Sequence, residues 1–126
     1  MYDKNNIFAK IARGEIPTRV VYQNTHAMSF YDIEPMCDTH VLVIPRGEYE
    51  NALDFAHRAS DAEKLGLIDC LAKTADKLGV SANYNIMANA GLNAPMFKQS
   101  VFHFHLHLIA GTPKPIFEKM VHCLCK

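Results

Sequence analysis

Three histidines alternate with bulky apolar residues over His103-Phe104-His105-Leu106-His107, and this run constrains the chain more tightly than any other. A strand sends successive side chains to opposite faces and rises about 3.3 Å per residue, so the three imidazoles are predicted to share one face at spacings of about 6.6 Å. Phe102, Phe104, Leu106 and Leu108 then share the opposite face, where they can be buried. A lone histidine on a strand is ordinarily a surface residue or a satisfied core residue. Three neutral bases in line on a rigid support suit chemistry better than packing.

The 126 residues suffice for one domain, 1–126, that buries about two thirds of its unfolded surface. At 49% hydrophobic and 21% charged residues the composition is that of a soluble globule. Thirteen basic residues balance thirteen acidic ones, so no global field recruits nucleic acid or an anionic membrane, and an anionic ligand needs a local site. No apolar run approaches the roughly 20 residues that span a bilayer. The start, Met1-Tyr2-Asp3-Lys4-Asn5-Asn6, lacks the apolar stretch of a secretion signal, so cytoplasmic residence is expected. Cys37, Cys70, Cys123 and Cys125 form no disulfide framework. The last two, beside His122, read as thiols of a frayed tail rather than a metal site.

Ile7 to Ala12 reads as a short helix capped by Asn6 and stopped by Gly14. Arg19–Tyr22 and Ala27–Tyr31 read as a hairpin turning at Asn24-Thr25. Val41–Ile44 is a continuous apolar run ended by Pro45, as in a central strand covered on both faces. A long helix is predicted over 61–78: Ser60 and Glu63 form a capping box, and Gly79 is the stop. Its apolar stripe is read as Leu65, Ile68, Leu71, Ala72, Ala75 and Leu78. Tyr84–Ala88 and the histidine strand complete the order. The expectation is an α+β domain on a mostly antiparallel five-stranded sheet, with one long and one or two short helices on one side.

Alternating histidines admit a metal reading, in which zinc would want further nitrogen, sulfur or carboxylate ligands. They also admit phosphorus chemistry, with one imidazole as nucleophile and its neighbours as donors and orienters. His105, with a histidine on each side, is best placed to attack. The polar loop Asn89 to Ser100 enters the histidine run and offers amides, a hydroxyl and backbone N–H groups to phosphate oxygens, which favours the second reading.

His103-Phe104-His105-Leu106-His107-Leu108-Ile109 resembles the signature of the histidine triad (HIT) family of nucleotide hydrolases and transferases. Ile7-Phe8, Gly14-Glu15-Ile16-Pro17, Phe30-Tyr31-Asp32-Ile33-Glu34-Pro35, His40 to Pro45 and Gln99-Ser100 also match family positions in family order. The resemblance covers about residues 6 to 111, leaving the tail at 112–126 outside it. Ala110-Gly111 after the triad, in place of Pro-Arg, makes the chain more similar to the Hint branch of purine nucleoside phosphoramidases.

That resemblance implies a HIT-like fold, no cofactor, and a purine nucleotide substrate cleaved at its α-phosphorus through a nucleotidyl-histidine intermediate. It implies that His105 attacks, His107 contacts the phosphate and assists the leaving group, and His103 orients the site with His40 behind it. It further implies that Asp32 accepts from the ribose hydroxyls and that Ile7, Phe8, Ile11, Phe30, Tyr31 and Ile33 line the purine pocket. Asn89, Gln99 and Ser100 would hold phosphate oxygens. A homodimer is implied as well, joined through the long helix and a strand. Many bacterial relatives ligate a structural zinc where this chain has Asn6, Ala9 and Glu48, so that metal is not expected. The loop from Asn89 to Gln99 is about three residues longer than the family version, which leaves the leaving-group preference open. The alternatives are a nucleotide- or partner-binding module with little turnover, and a metalloenzyme or metal carrier using the histidine face.

Overall fold

The computed structural model describes residues 1–118; the tail thiols Cys123 and Cys125 lie outside the described residues. Five strands form one antiparallel sheet in the order β1-β2-β3-β5-β4: β1 Val20–Gln23, β2 Ala27–Tyr31, β3 Cys37–Pro45, β4 Asn85–Met87 and β5 Leu106–Pro113. Among the described residues they are accompanied by the helices α1 Ile7–Ala12, α2 Ala52–Arg58 and α3 Asp61–Leu78, and residues 115–118 are helical as well. The α+β fold and the five-stranded antiparallel sheet are as expected.

The local signals act where they stand. The Asn24 side chain accepts from the N–H groups of His26 and Ala27, each at 2.9 Å, and so closes the β1–β2 turn. Ser60 and Glu63 form the reciprocal capping box, and Gly79 ends α3 with φ 71°, a left-handed conformation that suits glycine. Asn6 caps α1 by accepting from Ala9 N–H at 2.8 Å.

β3 is the central strand, and Val41 to Pro45 are buried throughout. Its side chains alternate between two layers. Val43 joins Ala27, Leu67, Cys70, Phe55 and Phe104 on the α2–α3 side, while Leu42 and Ile44 join Phe8, Ile11, Met28 and Phe30 on the α1 side. The helices therefore cover both faces, not one.

The stripe assigned to α3 is also corrected. The helix buries Leu67, Cys70, Thr74 and Ala75, whereas Leu65 and Ile68 are 72% and 59% exposed. The buried face includes a polar seam, in which Thr74 Oγ1 lies 2.6 Å from Ser29 Oγ and donates to the Cys70 carbonyl at 2.6 Å. Gly66 lets the helix approach the hairpin, since a Cβ there would stand 2.7 Å from His26 Cβ.

Candidate active site

A cavity of about 400 Å³ opens on the α1 face of the sheet, a size suited to a small-molecule ligand. Its floor is one cross-strand row. Phe30 of β2 pairs with Leu42 of β3, Leu42 with His107 of β5, and His107 with Met87 of β4. All four line the cavity, with α1 contributing Ile7, Phe8 and Ile11 and the β2–β3 turn contributing Asp32 and Ile33.

The three histidines do not share one strand face. β5 begins only at Leu106, and His103 to His105 precede it in irregular backbone. The cause lies in the partner strand. Its next residues in register lead to Pro45, which has no N–H to donate. The Pro45 carbonyl instead accepts from the His103 ring at Nε2, 2.8 Å away, and Phe104 N–H turns to the Tyr49 carbonyl at 2.7 Å. His103 is thereby withdrawn into the core, while His105 and His107 line the cavity with ring centroids 5.0 Å apart. Phe104 and Leu108 are buried on the opposite side, as the alternation requires.

Hydrogen bonding fixes where each proton sits. His105 Nδ1 lies 2.8 Å from the His103 carbonyl, which can only accept, so Nδ1 carries the hydrogen and Nε2 keeps its lone pair. His40 Nδ1 accepts from Met36 N–H at 2.9 Å, so its hydrogen is on Nε2. That Nε2 lies 2.9 Å from His107 Nδ1 and 3.4 Å from Asp32 Oδ2. His107 Nδ1 is then an acceptor, and its hydrogen is on Nε2. Burial is the main cause that holds all four imidazoles below the ordinary histidine range. His107 is pushed down to about 3 by burial, with His105 and His40 adding to it. The Asp32 carboxylate works the other way on His40 and His105. The arrangement presents one buried, unprotonated nitrogen beside an N–H donor.

The donor atoms of Asp32, His40 and His107 lie within 4.8 Å of one another, as a cation site requires. His40 does not suit that role: the nitrogen facing the group carries the hydrogen, and the other is occupied by Met36 N–H. The structural-zinc positions do not fit either, because Ala9 has no ligand atom and Asn6 is the cap of α1.

Of the residues proposed for nucleotide, Ile7, Phe8, Ile11, Phe30, Tyr31, Asp32, Ile33, Asn89 and Ser100 line the cavity. Gln99 does not. It is 1% exposed, its Nε2 donates to the carbonyls of Glu50 and Val101 at 2.6 and 3.0 Å, and its Oε1 accepts from Gly91 N–H at 3.1 Å. Its amide is engaged within the chain and fastens the loop. Asp32 is both turn former and cavity residue, since Oδ1 accepts from Glu34 N–H at 2.8 Å while Oδ2 faces His40. Sequence reasoning missed Leu42, Met87, Phe97, Lys98 and Val101, which also line the cavity. The first two were findable from the register of their strands.

The family model for the HIT domain matches residues 13–114. An uncharacterized 13.2 kDa HIT-like protein of Azospirillum brasilense is 44% identical over 111 residues, covering 87% of this chain and 88% of that protein. The purine nucleoside phosphoramidase of Escherichia coli (strain K12) is 35% identical over 112 residues, covering 87% and 90%. Among solved structures, a HIT-like protein from Bartonella henselae superposes with a TM-score of 0.74 at 31% identity, covering 94% of this chain and 93% of that one. A HIT family hydrolase from Clostridium thermocellum gives 0.71 at 31% identity, covering 90% and 98%. Sequence, fold and the paired histidines agree, and the chain belongs to the HIT family of nucleotide hydrolases and transferases.

Proposed function

We propose that the chain hydrolyses purine nucleoside phosphoramidates or related nucleotide conjugates at the α-phosphorus, through a nucleotide held covalently on His105. The observation that carries this reading is the tautomer pattern: Nδ1–H of His105 on a carbonyl, its Nε2 lone pair left for attack, and Nε2–H of His107 beside it. His105 Nε2 forms the bond to phosphorus and the bond to the leaving nitrogen breaks. That nitrogen takes the Nε2 hydrogen of His107 and departs as an amine, and the hydrogen bond from His40 Nε2–H to Nδ1 stabilises the His107 ring that has given up its proton. Water then attacks the phosphorus, breaks the bond to His105, returns a hydrogen to His107 Nε2 and releases the nucleoside monophosphate.

In this reading the base and ribose lie toward α1, Phe30 and Asp32, and the leaving group toward β4 and the loop carrying Phe97 and Lys98; the order of these residues along the cavity supports it. Support for purine phosphoramidates comes from the Escherichia coli relative, whose name states that activity. Cytoplasmic residence and a homodimer belong to the same proposal. No helix among the described residues is long and apolar enough to cross a membrane, and α3 and the edge strand β4 leave Leu65, Ile68 and Ile86 exposed.

His105→Asn keeps a hydrogen-bonding side chain and removes the nucleophile. On adenosine phosphoramidate its kcat should fall about 10³-fold or more, with AMP affinity within a few fold. Acid-quenched wild-type enzyme should carry a nucleotidyl adduct on His105 by mass spectrometry. Undiminished kcat in the variant would sink the mechanism.

A further inference from the structure

The segment before α1 takes no part in the reaction scheme above, yet it reaches the triad. The Tyr2 hydroxyl lies 2.5 Å from Nδ1 of His103, and the two rings meet edge to face at 5.8 Å and 62°. His103 is fully buried and is not among the cavity-lining residues. Its Nε2 gives its hydrogen to the Pro45 carbonyl, so Nδ1 holds a lone pair and Tyr2 is the donor. Both ring nitrogens are satisfied, one by each partner.

The segment that carries Tyr2 is itself fastened. The Asn6 side chain donates to the Asp3 carbonyl at 2.7 Å, Asn5 N–H to the Asp3 carboxylate at 2.9 Å, and the Arg13 guanidinium to the Lys4 carbonyl at 2.9 Å. The link to chemistry is then one residue long, because the carbonyl of His103 is the acceptor for His105 Nδ1–H.

We propose that Tyr2 is a positioning residue: its hydroxyl holds His103 as the neutral Nε2–H tautomer, seated between Tyr2 and Pro45. The His103 carbonyl thus stays on His105 Nδ1 and the Nε2 lone pair of His105 stays in the cavity. The inference rests on the nucleophilic role proposed for His105. Burial disfavours a proton on His103, the neighbouring His105 adds to this, and the Glu48 carboxylate pulls the other way. With the hydroxyl gone, the one basic nitrogen of His103 is open to a proton or to a turn of the ring.

Tyr2→Phe keeps the ring and removes only the donor. Imidazole ¹⁵N–¹H spectra of the wild type should show Nε2–H for His103 and Nδ1–H for His105. In Y2F the His103 signals should move and the His105 pattern should become a tautomer mixture. Its kcat on adenosine phosphoramidate should fall about tenfold, with AMP affinity within about twofold. A ring-fluorinated tyrosine at position 2, the same shape with a stronger donor, should move the His103 signals the opposite way. Unchanged His105 spectra in Y2F, or AMP affinity lost in step with kcat, would overturn the inference, as would a fluorinated protein with unmoved His103 signals. Should the wild type show neither turnover nor adduct while the spectra respond as stated, the proposed activity falls and the role of Tyr2 in setting the tautomers stands.

Discussion

Each of the four histidines at the site is held neutral by a fixed acceptor or donor, and each has given up solvent to be there. This has a sign in pH. The unfolded chain binds protons on these residues below about pH 6.5, while the folded chain, with all four below the ordinary range and His107 near 3, binds them only at lower pH. Their contribution to stability is therefore fully present above about pH 6.5 and is lost as pH falls through the folded values. The slope is about 1.4 kcal/mol per pH unit for each histidine still neutral in the fold. Urea midpoints at pH 7 and pH 5 measure it before most carboxylates titrate, and stability should drop; equal midpoints would show that the imidazoles are solvated. The same residue scale shows where reading the sequence stopped. Histidine alternation pointed to His105 and His107 directly. The withdrawal of His103 depends on a proline 58 positions away that lacks an N–H, and the burial of Gln99 depends on the carbonyl of Glu50. Neither partner is visible from the local run.

Elements whose ends are marked by their own side chains were legible, and α3 is the clearest case, with cap, capping box and stop each within a few residues of the boundary. A second short helix was allowed for but α2 was not located, although Asn51 caps it by accepting from Asp54 N–H at 3.0 Å. The helix buries only Phe55, so no apolar stripe accompanies that cap. The face of α3 went wrong for a related reason. Counting apolar residues favoured Leu65 and Ile68, whereas the sheet takes up Leu67, Cys70 and the hydrogen-bonded Thr74. The two faces predict opposite outcomes. Leu67→Ala should cost about 2–5 kcal/mol by denaturation at any protein concentration. Ile68→Glu should leave the monomer fold near its original stability and weaken self-association, read by sedimentation velocity across a dilution series. A large concentration-independent loss in Ile68→Glu would return that residue to the core.

Across the whole molecule, the cavity draws residues 30, 42, 87 and 107 from four strands into one row. On the proposed function, each part of a bound nucleotide would rest on a different stretch of chain, with no single hairpin holding the site. Binding should therefore stabilise the fold as a unit. AMP at 100 times its Kd should add about 2.7 kcal/mol and raise Tm by several degrees in one cooperative transition. A shift confined to one probe, with the rest of the unfolding curve unmoved, would mean that the ligand sits elsewhere. The overall architecture was legible because hairpin, central strand and long helix each announce themselves. The placement of α1 opposite α3 was not, since it follows from which face of β3 each layer fills.

The bonds of Gln99 carry a consequence for how such a chain diversifies. Its amide pins the backbone at Gly91 on one side and at Glu50 and Val101 on the other, so residues 92–98 form a span between two fixed posts. Replacements within that span are expected to leave both posts, and the histidines beyond them, where they are. The wall that Phe97 and Lys98 give the cavity can then be recut without moving His105.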